Sequence, residues 1–313
     1  MTPDASIFVA GHRGLVGSAI VRALGAAGFA RLVVRDRSEL DLRDQASVNA
    51  FFACARPQFV FLAAARVGGI LANHSYPAEF LRDNLAIETN LVDAAYRHGT
   101  EKLLFLGSSC IYPKHAPQPI PEECLLSGPL EPTNEWYSIA KIAGLKMCQA
   151  YRRQYGFRAI SAMPTNLYGP GDNFSLRGSH VLPALIRKLH EAKERGAPEV
   201  EIWGTGNPRR EFLHVDDLAN ACLFLMEGYD EERPINVGWG ADISIAELAA
   251  LVARIVGYSG ARRFNPAMPD GTPRKLLDTS RLKALGWAPR ISLEAGIADT
   301  YEWFMRNRIR LRD

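Results

Sequence analysis

The stretch Ile7-Phe8-Val9-Ala10-Gly11-His12-Arg13-Gly14-Leu15-Val16-Gly17 decides the fold. Its first four residues are apolar throughout, as a strand buried on both faces requires. Residues 16–27 then place Val, Ala, Ile and Leu on one helical face. Between strand and helix the glycines fall at GxxGxxG spacing. A turn that tight needs a residue without Cβ, and so does close approach of a diphosphate to the N–H groups at the positive end of a helix. The third glycine lets the helix pack against the sheet. Glycines at strand ends are also plain turn residues. Here the position between a first strand and an amphipathic helix favours a dinucleotide-binding turn.

Working outward, the same rhythm repeats. Strands are predicted over 7–10, 31–35, 59–63, 103–107 and 159–163, with helices over 16–27, 45–55, 79–98 and 137–155. Continuous apolar strands joined by helices imply a parallel sheet covered on both faces, and right-handed crossovers make it doubly wound, an α/β fold of the Rossmann type. Past Asn166 the rhythm breaks in a Pro, Gly and Asn cluster. A helix is expected to start near His180, another to cover 216–226, and a strand at 235–237 to rejoin the main sheet. The remainder, from about Asp242, reads as a smaller helical lobe. The expected division is a dinucleotide-binding domain over 1–165 with 212–238 returning to it, and a substrate lobe over 166–211 and 239–313.

Composition narrows the function classes. A length of 313 residues suits one large α/β unit or two lobes sharing a core, and a net charge of +3 is too small for a nucleic-acid binder. Arg306, Arg308, Arg310 and Arg312 read as a solvated helix end. No apolar run reaches the ~18 residues of a membrane span, and the first residues lack the basic segment of a signal peptide. Five cysteines without a CxxC pair suit reduced thiols, so a cytoplasmic protein with no membrane or nucleic-acid partner is expected.

Which dinucleotide binds turns on the end of the second strand, Val34-Arg35-Asp36-Arg37. An acid there accepts hydrogen bonds from the ribose 2′-hydroxyl of NAD and repels a 2′-phosphate. Arg13, Arg35 and Arg37 converging on that phosphate would select NADP(H) through charge-assisted bonds. Asp36 pointing inward would select NAD. The arginines favour NADP(H).

Tyr137-Ser138-Ile139-Ala140-Lys141 puts a phenol and an ammonium four residues apart on one helical face. The ammonium stabilises phenolate, bringing a group that titrates near 10 toward working pH. YxxxK alone arises by chance. Here it follows a strand ending Leu106-Gly107-Ser108-Ser109-Cys110, whose Ser108 hydroxyl can hold a substrate carbonyl next to Tyr137. Cys110 lies two positions beyond Ser108, so on an extended segment the two would face the same side. Read from residues alone, Cys110 is equally a small packed core side chain, and His180 equally a surface residue opening a helix.

The order GxxGxxG, strand-end Ser, YxxxK, then Pro164-Thr165-Asn166-Leu167-Tyr168-Gly169-Pro170 and Arg210-Glu211-Phe212-Leu213-His214-Val215-Asp216-Asp217 resembles the extended short-chain dehydrogenase/reductases. The strings AGHRG (10–14), AARVGGI (64–70), GSSCIYP (107–113), EPTN (131–134) and PDGTPRKLL (269–277) narrow the resemblance to the GDP-L-fucose synthase family, over essentially the whole chain. That resemblance implies an oxidoreductase and epimerase. GDP-4-keto-6-deoxy-D-mannose is epimerised at C3 and C5, then reduced at C4 by NADPH. It implies Ser108, Cys110, Tyr137, Lys141 and His180 as catalytic residues, with Cys110 and His180 handling the C3 and C5 protons in an order left open. It places the cofactor on residues 11–17, Arg35, Arg37, Leu106, Gly107, Lys141, Pro164, Asn166, Leu167 and His180. It places the sugar nucleotide on Ser109, Asn166, Lys188, Trp203, Arg210 and Asp270, needs no metal, and implies a homodimer through helices 79–98 and 137–155. Two positions depart from the family pattern. Lys188 stands where arginine is common, keeping charge but losing the fork. Asp36 stands where a neutral residue is expected.

A sugar-nucleotide 4-epimerase or 4,6-dehydratase is the nearest rival. The dehydratase is disfavoured because Ser109-Cys110 replaces the acidic pair that follows its strand-end hydroxyl. A dinucleotide sensor without catalysis is a rival of another class, and it would be expected to lack Tyr137 or Lys141.

Overall fold

The computed structural model describes residues 1–176, 178–268 and 270–310. The elements alternate through the first half: β1 (Ile7–Ala10), α1 (Leu15–Ala26), β2 (Leu32–Val33), α2 (Gln45–Ala55), β3 (Phe59–Leu62), α3 (Ile70–Ser75), α4 (Pro77–Arg97), β4 (Lys102–Leu106), α5 (Glu135–Tyr155) and β5 (Arg158–Pro164). There follow β6 (Asn166–Tyr168), α6 (Val181–Glu194), β7 (Glu199–Trp203), β8 (Arg209–His214), α7 (Val215–Gly228) and β9 (Ile235–Val237). The chain ends with β10 (Asp242–Ser244), α8 (Ile245–Val256), β11 (Ala261–Asn265), β12 (Arg274–Lys275), α9 (Ser280–Ala284) and α10 (Leu293–Asn307).

The main sheet runs β2-β1-β3-β4-β5-β9, every neighbouring pair parallel. Strands β1, β3 and β4 are buried at every residue, because helices cover both faces. On one side Ile20 and Leu24 of α1 meet Leu218 and Leu225 of α7 against the sheet. On the other, Phe52, Leu91 and Leu145 from α2, α4 and α5 fill a second core. The predicted strand at 235–237 rejoins this sheet beside β5. Only Leu32 and Val33 of the predicted 31–35 strand pair, since β2 is a half-exposed edge whose chain turns at Asp36.

The expectation of a purely helical remainder is corrected. Short strands β6, β10 and β12 join β8 in a second sheet, and β7 pairs with β11. Their runs were too short and too polar for strand periodicity to register. Helices α6, α8 and α10 pack Leu185, Ile186, Leu248, Val252 and Ile297 into a third core. Glu211, fully buried on β8, accepts from Gly240 N (2.6 Å) and Leu277 N (3.0 Å), tying this sheet to the chain beyond β9 and β12. Arg306 pairs with Glu302 and Arg308 with Glu194, as a solvated helix end does. Arg312 and Pro269 lie outside the described residues.

Lys102, the first residue of β4, is buried. Its Nζ donates to Leu225 O (3.2 Å), Met226 O (2.7 Å) and Tyr229 O (2.6 Å). Leu225 O also accepts from Tyr229 N (3.0 Å), so the strand cation adds a second donor there and serves Met226 O and Tyr229 O at the end of α7.

Candidate active site

A single cavity of 1240 Å³ runs along the C-terminal ends of β1, β4 and β5 and continues between α6 and β7. At its first end the glycine turn leaves no room for side chains. A Cβ on Gly11 (φ +86°) would lie 2.8 Å from the Ala64 backbone, and one on Gly17 would lie 2.1 Å from Gly11 O. Gly17 therefore sits behind the cavity, holding α1 against the turn, while Gly11, His12, Arg13, Gly14, Leu15 and Val16 line it. Gly14 caps α1 without a side-chain bond, and the first turn carries no acid. The opening N–H groups of α1 are thus left for an anion, as the diphosphate of a dinucleotide requires.

Arg13, Arg35 and Arg37 line the same mouth, but they do not meet at one point. Arg13 Nη2 is 2.9 Å from Asp36 Oδ2. Arg35 folds back, donating to Val34 O (2.7 Å), with its guanidinium 5.8 Å from the centre of the Phe51 ring. Asp36 Oδ1 accepts from Ser38 Oγ (2.6 Å) and Ser38 N (2.8 Å). The Ser38 hydroxyl, then neighbouring N–H groups and Arg13, hold this carboxyl below its usual range. Asp36 is spent on its own turn.

The reactive groups converge mid-cavity. Ser108 extends from β4 in β conformation, and its Oγ accepts from Cys110 N (3.2 Å). Residues 109–111 then form one turn of 3₁₀ helix, so Cys110 is carried by a capped turn and not by the extended segment expected. Tyr137 and Ser108 line this part of the cavity together. Burial pushes the Tyr137 phenol well above its ordinary value; Cys110 and Glu88 add to the effect, and the Ser108 hydroxyl opposes it. Lys141, one turn on, is 2% exposed and donates to Leu106 O (3.0 Å). Beneath it, Gly107 leaves room for Met163, whose sulfur would lie 2.4 Å from a Cβ at that position.

His180 caps α6 and is exposed to the cavity it lines. Surrounding protein lowers its proton affinity, and the charge of Lys275 lowers it further. Its loop is held by the VGGI segment: Gly69 N donates to Gly178 O (3.1 Å), and a Cβ on Gly69 would lie 2.8 Å from Ser179 O. Pro164, Asn166 and Leu167 line the wall between the two ends, with Asn166 Nδ2 bonded to Glu211 O (2.8 Å). Ser109 also lines the cavity, though it is buried.

At the second end, Lys188 and Trp203 come together: the ammonium lies 4.9 Å over the indole, which is 44% exposed and so free for a planar group on its other face. Burial lowers the Lys188 pKa. Among the described residues Arg210 donates to the main-chain carbonyls of Arg209 (2.9 Å) and Asp270 (3.1 Å), bonds that leave its charge without an acid partner. Asp270 is engaged by Thr205, whose N and Oγ1 each donate to it at 2.8 Å. Arg209 turns away to Asp242 (2.8 Å).

Sequence reasoning did not single out Lys275 or Asn134. Lys275 Nζ and Asn134 Nδ2 both lie 3.4 Å from Cys110 Sγ. Each sits in a string quoted for the resemblance, PDGTPRKLL and EPTN, but neither spacing carries a chemical pattern to reveal it. Among the described residues no group of three or more His, Cys, Asp or Glu could hold a metal, and no helix is long and apolar enough to cross a membrane.

A sequence model of the NAD dependent epimerase/dehydratase family matches residues 7–238. GDP-L-fucose synthase 1 of Arabidopsis thaliana is 61% identical over 304 residues, covering 97% of this chain and 94% of the relative. GDP-L-fucose synthase of Escherichia coli K12 is 56% identical over 98% of each chain. The chain belongs to the GDP-L-fucose synthase family. A solved GDP-L-fucose synthetase from Naegleria fowleri bound to NADP superposes with a TM-score of 0.92 at 28% identity, covering 100% of this chain and 98% of that one. The GDP-L-fucose synthase scaffold accounts for a cavity with a glycine turn at one end and, at the other, a cation over an indole with Arg210 in the same wall.

Proposed function

We propose that the chain converts GDP-4-keto-6-deoxy-D-mannose to GDP-L-fucose by NADPH-dependent 3,5-epimerisation and 4-reduction. The observation that carries this reading is one cavity in which the Ser108, Tyr137 and Lys141 group faces Cys110 and His180. The C4 ketone acidifies the protons on C3 and C5, and Ser108 and Tyr137 hold its oxygen as charge develops there. Of Cys110 and His180, one removes each proton and the other returns it on the opposite face. Lys275 faces the sulfur in whichever step leaves it negative. When bound, NADPH supplies the hydride for C4. Tyr137 protonates O4, and Lys141 holds the nicotinamide ribose. The turn at 11–17 with Leu106 and Gly107 grips the dinucleotide, and Arg13, Arg35 and Arg37 meet the 2′-phosphate. Arg210 and Lys188 meet the GDP diphosphate, Trp203 stacks, and Ser109, Asn166 and Asp270 hold the remaining polar groups.

Residues 1–165 and 212–238 serve the dinucleotide in this reading, while 166–211 and 239–313 serve the sugar nucleotide. The protein works in the cytoplasm as a homodimer through α4 and α5. The test is NADPH consumption with the ketosugar, paired with deuterium exchange at C3 and C5. Cys110→Ala and His180→Ala should lose exchange while retaining NADPH binding. Ketosugar turned over without stoichiometric NADPH loss would remove the synthase reading.

A further inference from the structure

Lys141 is enclosed, and an ammonium out of water needs compensation. Its carbonyl partner, Leu106 O, and the Phe105 ring, 4.8 Å from Nζ, supply only dipoles. The full opposite charge comes from Glu88 on α4, whose Oε1 is 3.0 Å from Lys141 Nζ. Glu88 is 1% exposed, and among the described residues its Oε2 has no hydrogen-bond partner. A carboxylate this poorly served is costly, so a role beyond packing is indicated. The fold makes room for it. A Cβ on Gly144, one turn past Lys141, would lie 2.5 Å from Glu88 Oε2 and 2.6 Å from the Phe105 ring.

We infer that Glu88 is a positioning residue of the reduction step, fixing the Lys141 ammonium beneath Tyr137 and keeping the Tyr137–Lys141 pair from carrying a surplus positive charge. The inference rests on the proposed roles of Tyr137 and Lys141. Glu88 reaches the reacting atoms only through that lysine. Lys141, Tyr137 and Cys148, all on α5, feel Glu88 electrostatically. Burial raises Glu88 above the usual carboxylate range, and the charge of Lys141 opposes that rise. Glu88 in turn raises the Tyr137 phenol, which favours the protonated form that must deliver a proton to O4.

Removing the Glu88 charge therefore has a defined sign. Without it, Tyr137 ionises more readily, which moves the basic limb of ketone reduction to lower pH. In Glu88→Gln, kcat for NADPH oxidation with GDP-4-keto-6-deoxy-D-mannose should fall about tenfold, and the basic limb should move down by about one pH unit. KM for the ketosugar should stay near the parental value. Glu88→Asp keeps the charge but shortens the reach, so its limb should stay in place while kcat falls. If Glu88→Gln does not fold, Glu88→Asp alone decides, since parental kcat or a displaced limb in that variant overturns the inference. A folded Glu88→Gln enzyme with a parental limb overturns it too, whatever its thermal stability. Tyr137→Phe run in parallel separates the two failures. An inactive Tyr137→Phe beside a parental Glu88→Gln sinks only the role of Glu88, whereas an active Tyr137→Phe sinks the Tyr137 reading beneath it.

Discussion

Lys275 and Cys110 are 165 positions apart in sequence, yet the ammonium lies 3.4 Å from the sulfur. The contact exists because β12 pairs in parallel with β8, bringing the chain after Gly271 back to the end of β4. The same ammonium also acts on His180, the other proposed proton carrier.

Lys275→Met should slow deuterium exchange at C3 and C5 by about a hundredfold, the scale of one acid–base contribution, with NADPH affinity unchanged. Proton NMR of the ketosugar in D₂O reads the exchange directly. Parental exchange in the variant would remove Lys275 from the mechanism.

The Arg13–Asp36 pair predicts a cofactor effect. Asp36 is already occupied by Ser38 and Arg13, so it competes weakly for a ribose hydroxyl. Arg13→Met should weaken NADPH about tenfold more than NADH, as loss of a charge-assisted phosphate contact does. Comparing KM for the two cofactors checks this, and equal losses would place Arg13 outside phosphate recognition.

Asp172 carries a pH signature. It lines the cavity wall, its Oδ2 has no hydrogen-bond partner among the described residues, and burial pushes its carboxyl up to about 7. A raised acid favours the folded state while protonated. That contribution is full below the unfolded value of 3.8 and is lost as pH rises through about 7. Asp172→Asn should therefore gain stability over the parent on going from about pH 5 to about pH 8, by roughly 2 kcal/mol. Thermal melts across that range decide it; a constant difference would mean the carboxyl is ionised throughout.

Lys102→Met should destabilise the fold by about 2 kcal/mol, since Met226 O and Tyr229 O at the end of α7 lose the ammonium that donates to them in a dry setting, while Leu225 O keeps Tyr229 N. Urea unfolding measures the loss. A neutral outcome would mean water replaces the ammonium.

The sequence carried the main sheet because its strands are buried on both faces and read as unbroken apolar runs between amphipathic helices. The predicted 7–10, 45–55 and 235–237 coincide with β1, α2 and β9. The second sheet was illegible, because β6, β10 and β12 are two or three residues long and β8 begins with two arginines. Short strands of that kind are held by register with a neighbour and not by a pattern of their own. The candidate site divides the same way. Tyr137 and Lys141 announce themselves through helical spacing, and the glycine turn through its place between strand and helix. Lys275, Asn134 and Glu88 act through space, from separate elements, and their partners are visible only once the sheets are assembled.

In the β12–β8 ladder, Lys275 stands opposite Arg210. The cation beside the thiol and the cation proposed to meet the diphosphate are therefore rungs of one rigid frame, and neither can be displaced without the other. Whatever seats the nucleotide also sets the electrical surroundings of the sulfur, so a mispositioned diphosphate would be felt as faulty proton transfer at a carbon several bonds away.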